Sequence, residues 1–464
     1  RSEHVNNHEC SCKDMARCKR LFGLGMGYVQ ALILSLPLSV DGLMWHIVQE
    51  MIEGKHSRKG VDEIKRQMSN YSLENIKRLK GVLTGMGRLL SLFVIQKVNN
   101  KFLLLGINIA EVVFLVFAHS LYLAYGGATL AWSYLIVVFF QGTRFPFSLN
   151  ILSKWTLTRR MTSLFTSFLL FMDLFLSFMM LLIKNLTSLG YPSVLLHIYS
   201  TVAVKTLFIV LWAIFGAADP MQSLFVPLDE LAELRKGNPR RIKTHWKNTV
   251  PWQKIFTTPI LYGSMIFDIG NIWVHEWEDS VLLDPLSMYL DENVVMALVG
   301  YYFWSLVVMV NAFVVDYLIH KGITNVNNIR KTAATITAWG CGVCFLMIGY
   351  TLKTEARHIW ATFFLIFKIA NFNIDSSLII YALSPNYFGF NYGFVSAVAY
   401  MSMGFQDRLE SALSSNGMEW VMYFYGMVMM FSCLTMILSG DCHPREFDGF
   451  GTIEWKDESF VSFP

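Results

Sequence analysis

Ionisable side chains stand inside stretches of this sequence that are otherwise apolar. Asp41, Glu111, Asp173, Asp268 and Asp375 each fall within a long hydrophobic run, and so do Arg144, Lys205 and Lys368. A charge held in a hydrocarbon layer is costly, and where one is kept it marks a substrate or ion pathway by default. Two chemistries are open to such a set. Guanidinium and ammonium groups can neutralise an anion, Arg with bidentate geometry. Buried carboxyls have pKa values raised toward neutrality by desolvation, which suits them to carry a coupling proton. The structural alternative is that Arg144 snorkels or pairs with an acidic neighbour, and that the carboxylates form inter-helix salt bridges, for example Asp173 or Glu111 with Arg88.

The elements that must position these groups follow from composition. Of 464 residues, 54% are hydrophobic and only 16% charged, with a mean hydropathy of +0.43; a soluble protein of ordinary composition is less apolar. Runs long enough to cross a core of about 30 Å recur at about Leu21–His46, Gly81–Ile95, Phe102–Ala124, Thr129–Leu152, Met161–Ile183 and Val194–Ala217. A polar stretch with Arg235, Lys236, Arg240, Arg241, Lys243 and Lys247 follows. The pattern then restarts at Phe256–His275, Val294–His320, Thr332–Leu352, Ile359–Leu383, Tyr387–Phe405 and Trp420–Leu438. The expected class is an all-α integral membrane protein of about twelve transmembrane helices. Two six-helix halves joined by a charged linker are the outline of the major facilitator fold, whose halves pack around a midplane site. The divisions are a tail at 1–20, a half at 21–218, a linker at 219–252, a half at 253–440 and a tail at 441–464. No cleavable signal pattern precedes the first run, which is expected to remain as a helix.

Orientation follows from the basic loops. Lys13, Arg17, Lys19, Arg20, Lys97, Lys101, Lys154, Arg159, Arg160, Lys321, Arg330, Lys331 and the linker all fall on one face, which places both termini in the cytoplasm. The opposite face carries the acidic loop Glu276–Glu292 and the sequons at Asn70 and Asn185, the expected glycosylation sites. The basic loop after the first run, with Lys55, Arg58 and Lys59, disagrees, but acidic Glu53, Asp62 and Glu63 are interleaved with it. The net charge of +4 is spread by side of membrane, so the expected partners are lipid and a small solute, not nucleic acid.

Other chemistries find little support. His8, Cys10, Cys12 and Cys18 match no common zinc spacing, so no metal site is expected. His119, His197 and His275 could titrate near neutral pH, or face a polar loop. There is no Walker pattern or Gly-rich phosphate loop, which argues against ATP-driven transport and against an enzyme; no cofactor beyond a coupling proton or sodium ion is expected.

Several segments resemble one family collinearly. Phe140-Gln141-Gly142, then Phe145-Pro146, then Ser153-Lys154-Trp155 is similar to FLQG…(F/Y)P…SKWAPP; Gly190-Tyr191-Pro192-Ser193-Val194 to GWPSVFY; and Pro251-Trp252-Gln253-Lys254-Ile255-Phe256-Thr257-Thr258-Pro259 to PWKKIFTSPPVW. Ile329-Arg330-Lys331, Ser384-Pro385-Asn386-Tyr387 and Ser439-Gly440-Asp441 continue the match. These segments resemble the anion/cation symporter family of the major facilitators, which includes sialin, the vesicular glutamate transporters and the type I sodium–phosphate cotransporters. The resemblance implies alternating-access transport of a small organic or inorganic anion, driven by a proton or sodium gradient, by a monomer of the plasma membrane or an endolysosomal or vesicular membrane.

The family's chemical residues are missing. Its first-span Arg aligns with Ser35, its fourth-span Arg with Val138, the acidic residue after it with a deletion between Gly142 and Arg144, its His with Leu149 and its seventh-span Arg with Asn271. An anion site then needs a substitute cation: Arg144 first, Lys205 and Lys368 next. The expected ion-coupling carboxylates are Asp41, Asp268, Asp173 and Glu111, with Asp41 and Asp268 favoured because the first helices of the two halves line the cavity in this fold. Asp316 resembles the family's loop-eight Asp and is expected to act as a gate or packing contact, although the Arg that follows it there is Tyr317 here. The alternatives are a non-transporting receptor or scaffold that has lost its site, and a transporter of a neutral or cationic solute.

Overall fold

A computed structural model of the chain describes residues 25–44, 70–95, 97–125, 127–156, 160–237, 252–281, 303, 305–354, 356–371 and 387–439. Asp375, the N-terminal His/Cys group and both tails lie outside these. The described residues form helices joined by turns. In the first half α1 is Met26–Ser39, α2 Asn70–Val94, α3 Asn100–Tyr125, α4 Gly127–Lys154, α5 Met161–Ser188 and α6 Ser193–Phe215. The linker contributes α7, Leu228–Gly237, and α8, Trp252–Phe256. The second half holds α9, Pro259–Val281; α10, Ser305–His320; α11, Val326–Tyr350; α12, Ala356–Asn371; α13, Phe388–Met401; α14, Met403–Ser414; and α15, Met418–Leu438.

A helix occupies each of the twelve predicted spans, with α7, α8 and α14 additional. Among the described residues seven helices are long and apolar enough on their own to cross a membrane: α1 continued to Met44, α3, α4, α5, α6, α11 and α15. Helix α14 was not legible in the hydropathy, because Asp407, Arg408 and Glu410 interrupt its apolar positions. It docks through Gln406, whose amide donates to the Trp273 carbonyl and to the Tyr425 hydroxyl, each at 2.8 Å.

Close helix approach sets the position of α4. A side chain at Gly87 of α2 would collide with the Phe139 carbonyl, and one at Gly142 with the Thr84 carbonyl, so the two backbones cross where both partners are glycine, as small residues allow in membrane helices. Two residues beyond Gly142 lies Arg144. The halves meet along α2 and α13, which run antiparallel: Gly85 faces Ala397 and Met401, while Ile95 faces Gly389 at the other end. A second seam joins α5 and α1 to α10, through Ser167 and Met309 at 3.3 Å and the rings of Tyr28 and Phe313 at 6.5 Å.

Near the end of its described stretch α1 carries a one-residue turn at Val40. Pro37 lacks an N–H and its ring crowds the preceding turn; the helix ends at Ser39, turns at Val40 and resumes over 41–44. Asp41 sits at that break.

Candidate substrate and ion-coupling site

Arg144 of α4 is fully buried. Its Nη1 donates to the Pro37 carbonyl of α1 at 2.9 Å and to Asp41 Oδ1 at 3.1 Å, and its Nη2 donates to Glu111 Oε2 of α3. Lys205 of α6, equally buried, places Nζ 2.8 Å from the same Asp41 Oδ1 and 2.6 Å from Glu111 Oε1. Two cations and two carboxylates from four helices of one half therefore form a closed tetrad, in which each cation contacts both acids. A buried charge is tolerated when paired and hydrogen-bonded in this way.

The members differ in access. The side chains of Arg144, Lys205 and Glu111 have no exposed surface, whereas that of Asp41 retains 12%. Asp41 is the one member of the four with any exposed surface. Arg144 holds both the charges and the backbone of α1 at Pro37, so a change in the pairing of its guanidinium bears directly on the broken helix. Interrupted helices next to charged groups are where midplane sites form in secondary transporters.

The tetrad unites four of the sequence-predicted residues: Arg144 and Lys205 with Asp41 and Glu111. Glu111 thus pairs with Arg144 and Lys205 and not with Arg88, whose guanidinium lies over the Tyr400 ring at 4.0 Å and the Phe145 ring at 5.1 Å, a cation–π arrangement spanning the halves. The remaining candidates stand apart from the tetrad. Asp268 is buried on α9, one turn from Ser264 and on the same helix face as Asn271. Asp173 is half-buried on α5, where its carbonyl accepts from Ser177 Oγ at 2.9 Å. Lys368 is half-buried in the last turn of α12. Asn70 opens α2, and Asn185 is exposed near the end of α5.

Asp316 joins the halves. Its Oδ1 accepts the Thr162 N–H at 2.9 Å and its Oδ2 the Ser163 N–H at 2.8 Å, placing a carboxylate on the positive N-terminus of α5. Arg330 of α11 adds a bond from Nη2 to Thr162 Oγ1 at 2.8 Å. Sequence reasoning did not find the α5 amides as partners, because backbone donors carry no side-chain signal. Nor did it find Glu230 of α7, which accepts the Met26 N–H at 3.0 Å and the Gly27 N–H at 3.3 Å and so caps α1 from the linker; Glu230 sits in a charged stretch with nothing to distinguish it.

No family model matches the chain, and no curated protein matches it in sequence. Solved structures do match. The chain is similar to the proton:xylose symporter XylE of the major facilitator superfamily, bound to 6-bromo-6-deoxy-D-glucose, at 12% identity over 90% of this chain and 96% of that one, with a TM-score of 0.61. It is also similar to the human organic anion transporter MFSD10 (TETRAN), at 11% identity over 89% of this chain and 98% of that one, with a TM-score of 0.55. What is shared at such identities is the arrangement of helices. The chain is a multi-pass integral membrane protein with the major facilitator fold.

Proposed function

We propose that the chain is a secondary active transporter that moves a small organic or inorganic anion by alternating access, with the tetrad as its binding and coupling centre. Arg144 and Lys205 supply the cations that an anion requires at the midplane, and Asp41 is the acid that exchanges a coupling proton. The observation that carries this reading is the position of Asp41: it is the partly exposed member, and a single oxygen of it accepts from both buried cations. Protonating it would withdraw one negative charge from between a guanidinium and an ammonium and leave them to recruit an anion. A proton suits this role better than sodium, because a metal ion would need several oxygen ligands beside two fixed positive charges. The resemblance to the anion/cation symporters and the fold shared with an organic anion transporter point the same way. In this reading the protein works as a monomer, with both termini cytoplasmic and glycans at Asn70 and Asn185, in the plasma membrane or an endolysosomal or vesicular membrane. Asp268 and Asp173 are further coupling acids and Lys368 a further cation along the pathway.

A non-transporting receptor or scaffold is the competing reading, and the balance of the tetrad favours it in one respect: both cations already have carboxylate partners. Uptake of a radiolabelled anion panel into proteoliposomes, with and without a proton gradient, tests the two. Accumulation that requires the gradient and is lost in Arg144→Gln supports transport through the tetrad. No uptake of any anion by folded protein would favour the scaffold, and unchanged uptake in Arg144→Gln would remove Arg144 from the substrate site.

A further inference from the structure

At one end of the bundle, away from the tetrad, three stretches of chain meet around a cavity of about 390 Å³. The turn between α2 and α3 contributes Lys97, Val98 and Asn99, the end of α4 contributes Lys154, and the segment after α6 contributes Asp219 and Gln222. It is the end that the basic loops assign to the cytoplasm.

The lining has the chemistry of an anion site with an apolar edge. Lys97 is exposed and Lys154 half-buried, so two ammonium groups reach the cavity from different stretches. Asn99 Oδ1 accepts the Lys101 N–H at 3.0 Å, which leaves the amide nitrogen as its outward donor. The same bond caps α3, whose positive N-terminus opens here. Asp219 is turned onto its own backbone, with Oδ1 accepting the Met221 N–H at 2.9 Å. Beneath the cavity the chain is fixed by two buried indoles: Trp212 Nε1 donates to the Lys101 carbonyl at 3.2 Å and Trp155 Nε1 to the Ala217 carbonyl at 3.0 Å. Apolar side chains nonetheless stand open at this end: Val98 in the lining, 42% exposed, Met221 and Leu224 nearby in sequence to Gln222, and Phe102 one turn into α3, 66% exposed. A soluble anion has no use for such an edge, whereas a lipid does.

We propose that this cavity binds the phosphate of an anionic phospholipid headgroup, with Lys97 and Lys154 as charge partners, Asn99 and Gln222 as hydrogen-bond donors, and the acyl chains passing over Val98 toward Phe102. Basic pockets at the ends of transmembrane helices recognise lipid headgroups by such charge pairing. The site is separate from the tetrad and holds whether or not the chain transports an anion.

Native mass spectrometry of the full chain in detergent, titrated with phosphatidylglycerol or phosphatidylcholine and with inorganic phosphate as competitor, tests it. Phosphatidylglycerol is expected to be retained over phosphatidylcholine, and Lys97→Gln combined with Lys154→Gln to weaken it about 30-fold, from about one kcal/mol per lysine near a membrane surface. Lys321→Gln, which removes another exposed lysine of the same face, is expected to leave retention unchanged. Lys97 and Lys321 are exposed and Lys154 half-buried, and an unchanged melting temperature confirms that both variants fold. Equal retention of the two lipids, or of phosphatidylglycerol by the double variant and the parent, would overturn the proposal. Displacement of the lipid by millimolar inorganic phosphate would replace the lipid with a soluble anion as the ligand and overturn it equally.

Discussion

The Asp41 carboxylate and the Lys205 ammonium meet at 2.8 Å across α1 and α6, and only the acid of this pair has any exposed surface. Removing Lys205 leaves Arg144 between two carboxylates and a buried net charge of one. Lys205→Met is therefore expected to cost about 3–5 kcal/mol, the usual loss when one partner of a buried pair is deleted. Asp41→Asn in the same chain restores one cation against one acid and is expected to recover part of that loss. Thermal unfolding in detergent measures both. A double variant no more stable than Lys205→Met would mean that the two charges are not coupled.

Charge balance also bears on coupling. Arg144 and Lys205 offset Asp41 and Glu111, so a monovalent anion entering alone would leave one uncompensated charge in a low-dielectric centre, and a proton delivered to Asp41 would cancel it. Uptake of a monovalent anion into proteoliposomes is expected to rise when the side it enters from is made acidic, and to be indifferent to a potassium diffusion potential. Asp41→Asn is expected to retain exchange of anion for anion while losing the response to the pH gradient. Uptake driven by the potential in the absence of a pH gradient would contradict the one-to-one pairing of proton and anion.

Depth, but not direction, was legible in the sequence. At about 1.5 Å per residue, Glu111, Arg144 and Lys205 lie roughly 15 Å from the end of their helices shared with the linker, and Asp41 about 22 Å along α1; the hydropathy runs alone place the first three toward the midplane and Asp41 nearer the far end of its run. Asp173 and Asp268 lie at similar depths, and nothing in periodicity distinguished their helix faces from those of the tetrad, because membrane helices are apolar all round. The pairing of Arg144 with an acidic neighbour is one of the two readings the sequence allows; which acids it meets, Asp41 and Glu111, depends on how α1 and α3 pack against α4, a tertiary fact. The linker is charged and polar in sequence, yet one of its acids, Glu230, is fixed on α1 by backbone groups that no side-chain pattern announces.

Asp316 bonds the N-terminal amides of α5 from α10, on the opposite half. An amide in its place offers a single acceptor oxygen and no charge for the helix dipole, so Asp316→Asn is expected to weaken closure at this end by about 1–2 kcal/mol. Spin labels at the exposed Arg160 and Lys321, in a chain whose other cysteines are replaced, report the separation across the seam. A longer and broader distance distribution in Asp316→Asn is the expected result, and an unchanged distribution would reduce Asp316 to a packing contact.

Glu230 supplies from α7 the cap that α1 lacks locally, since Gly25 at its N-cap has no side chain to offer. Two hydrogen bonds, one from the Met26 amide and one from the Gly27 amide to the two carboxylate oxygens, hold the linker helix against the first helix, and the same helix carries the Pro37 carbonyl that Arg144 grips. Glu230→Gln keeps the shape but gives up the charge and one acceptor, at an expected cost of about 1 kcal/mol. Hydrogen–deuterium exchange is expected to quicken at the first turn of α1 and throughout Leu228–Gly237, while Val326–Tyr350 in the other half keeps its protection. Faster exchange in α1 alone would show that α7 is held by other contacts and that Glu230 serves only as a cap. If neither segment changed, the linker would be docked independently of this carboxylate.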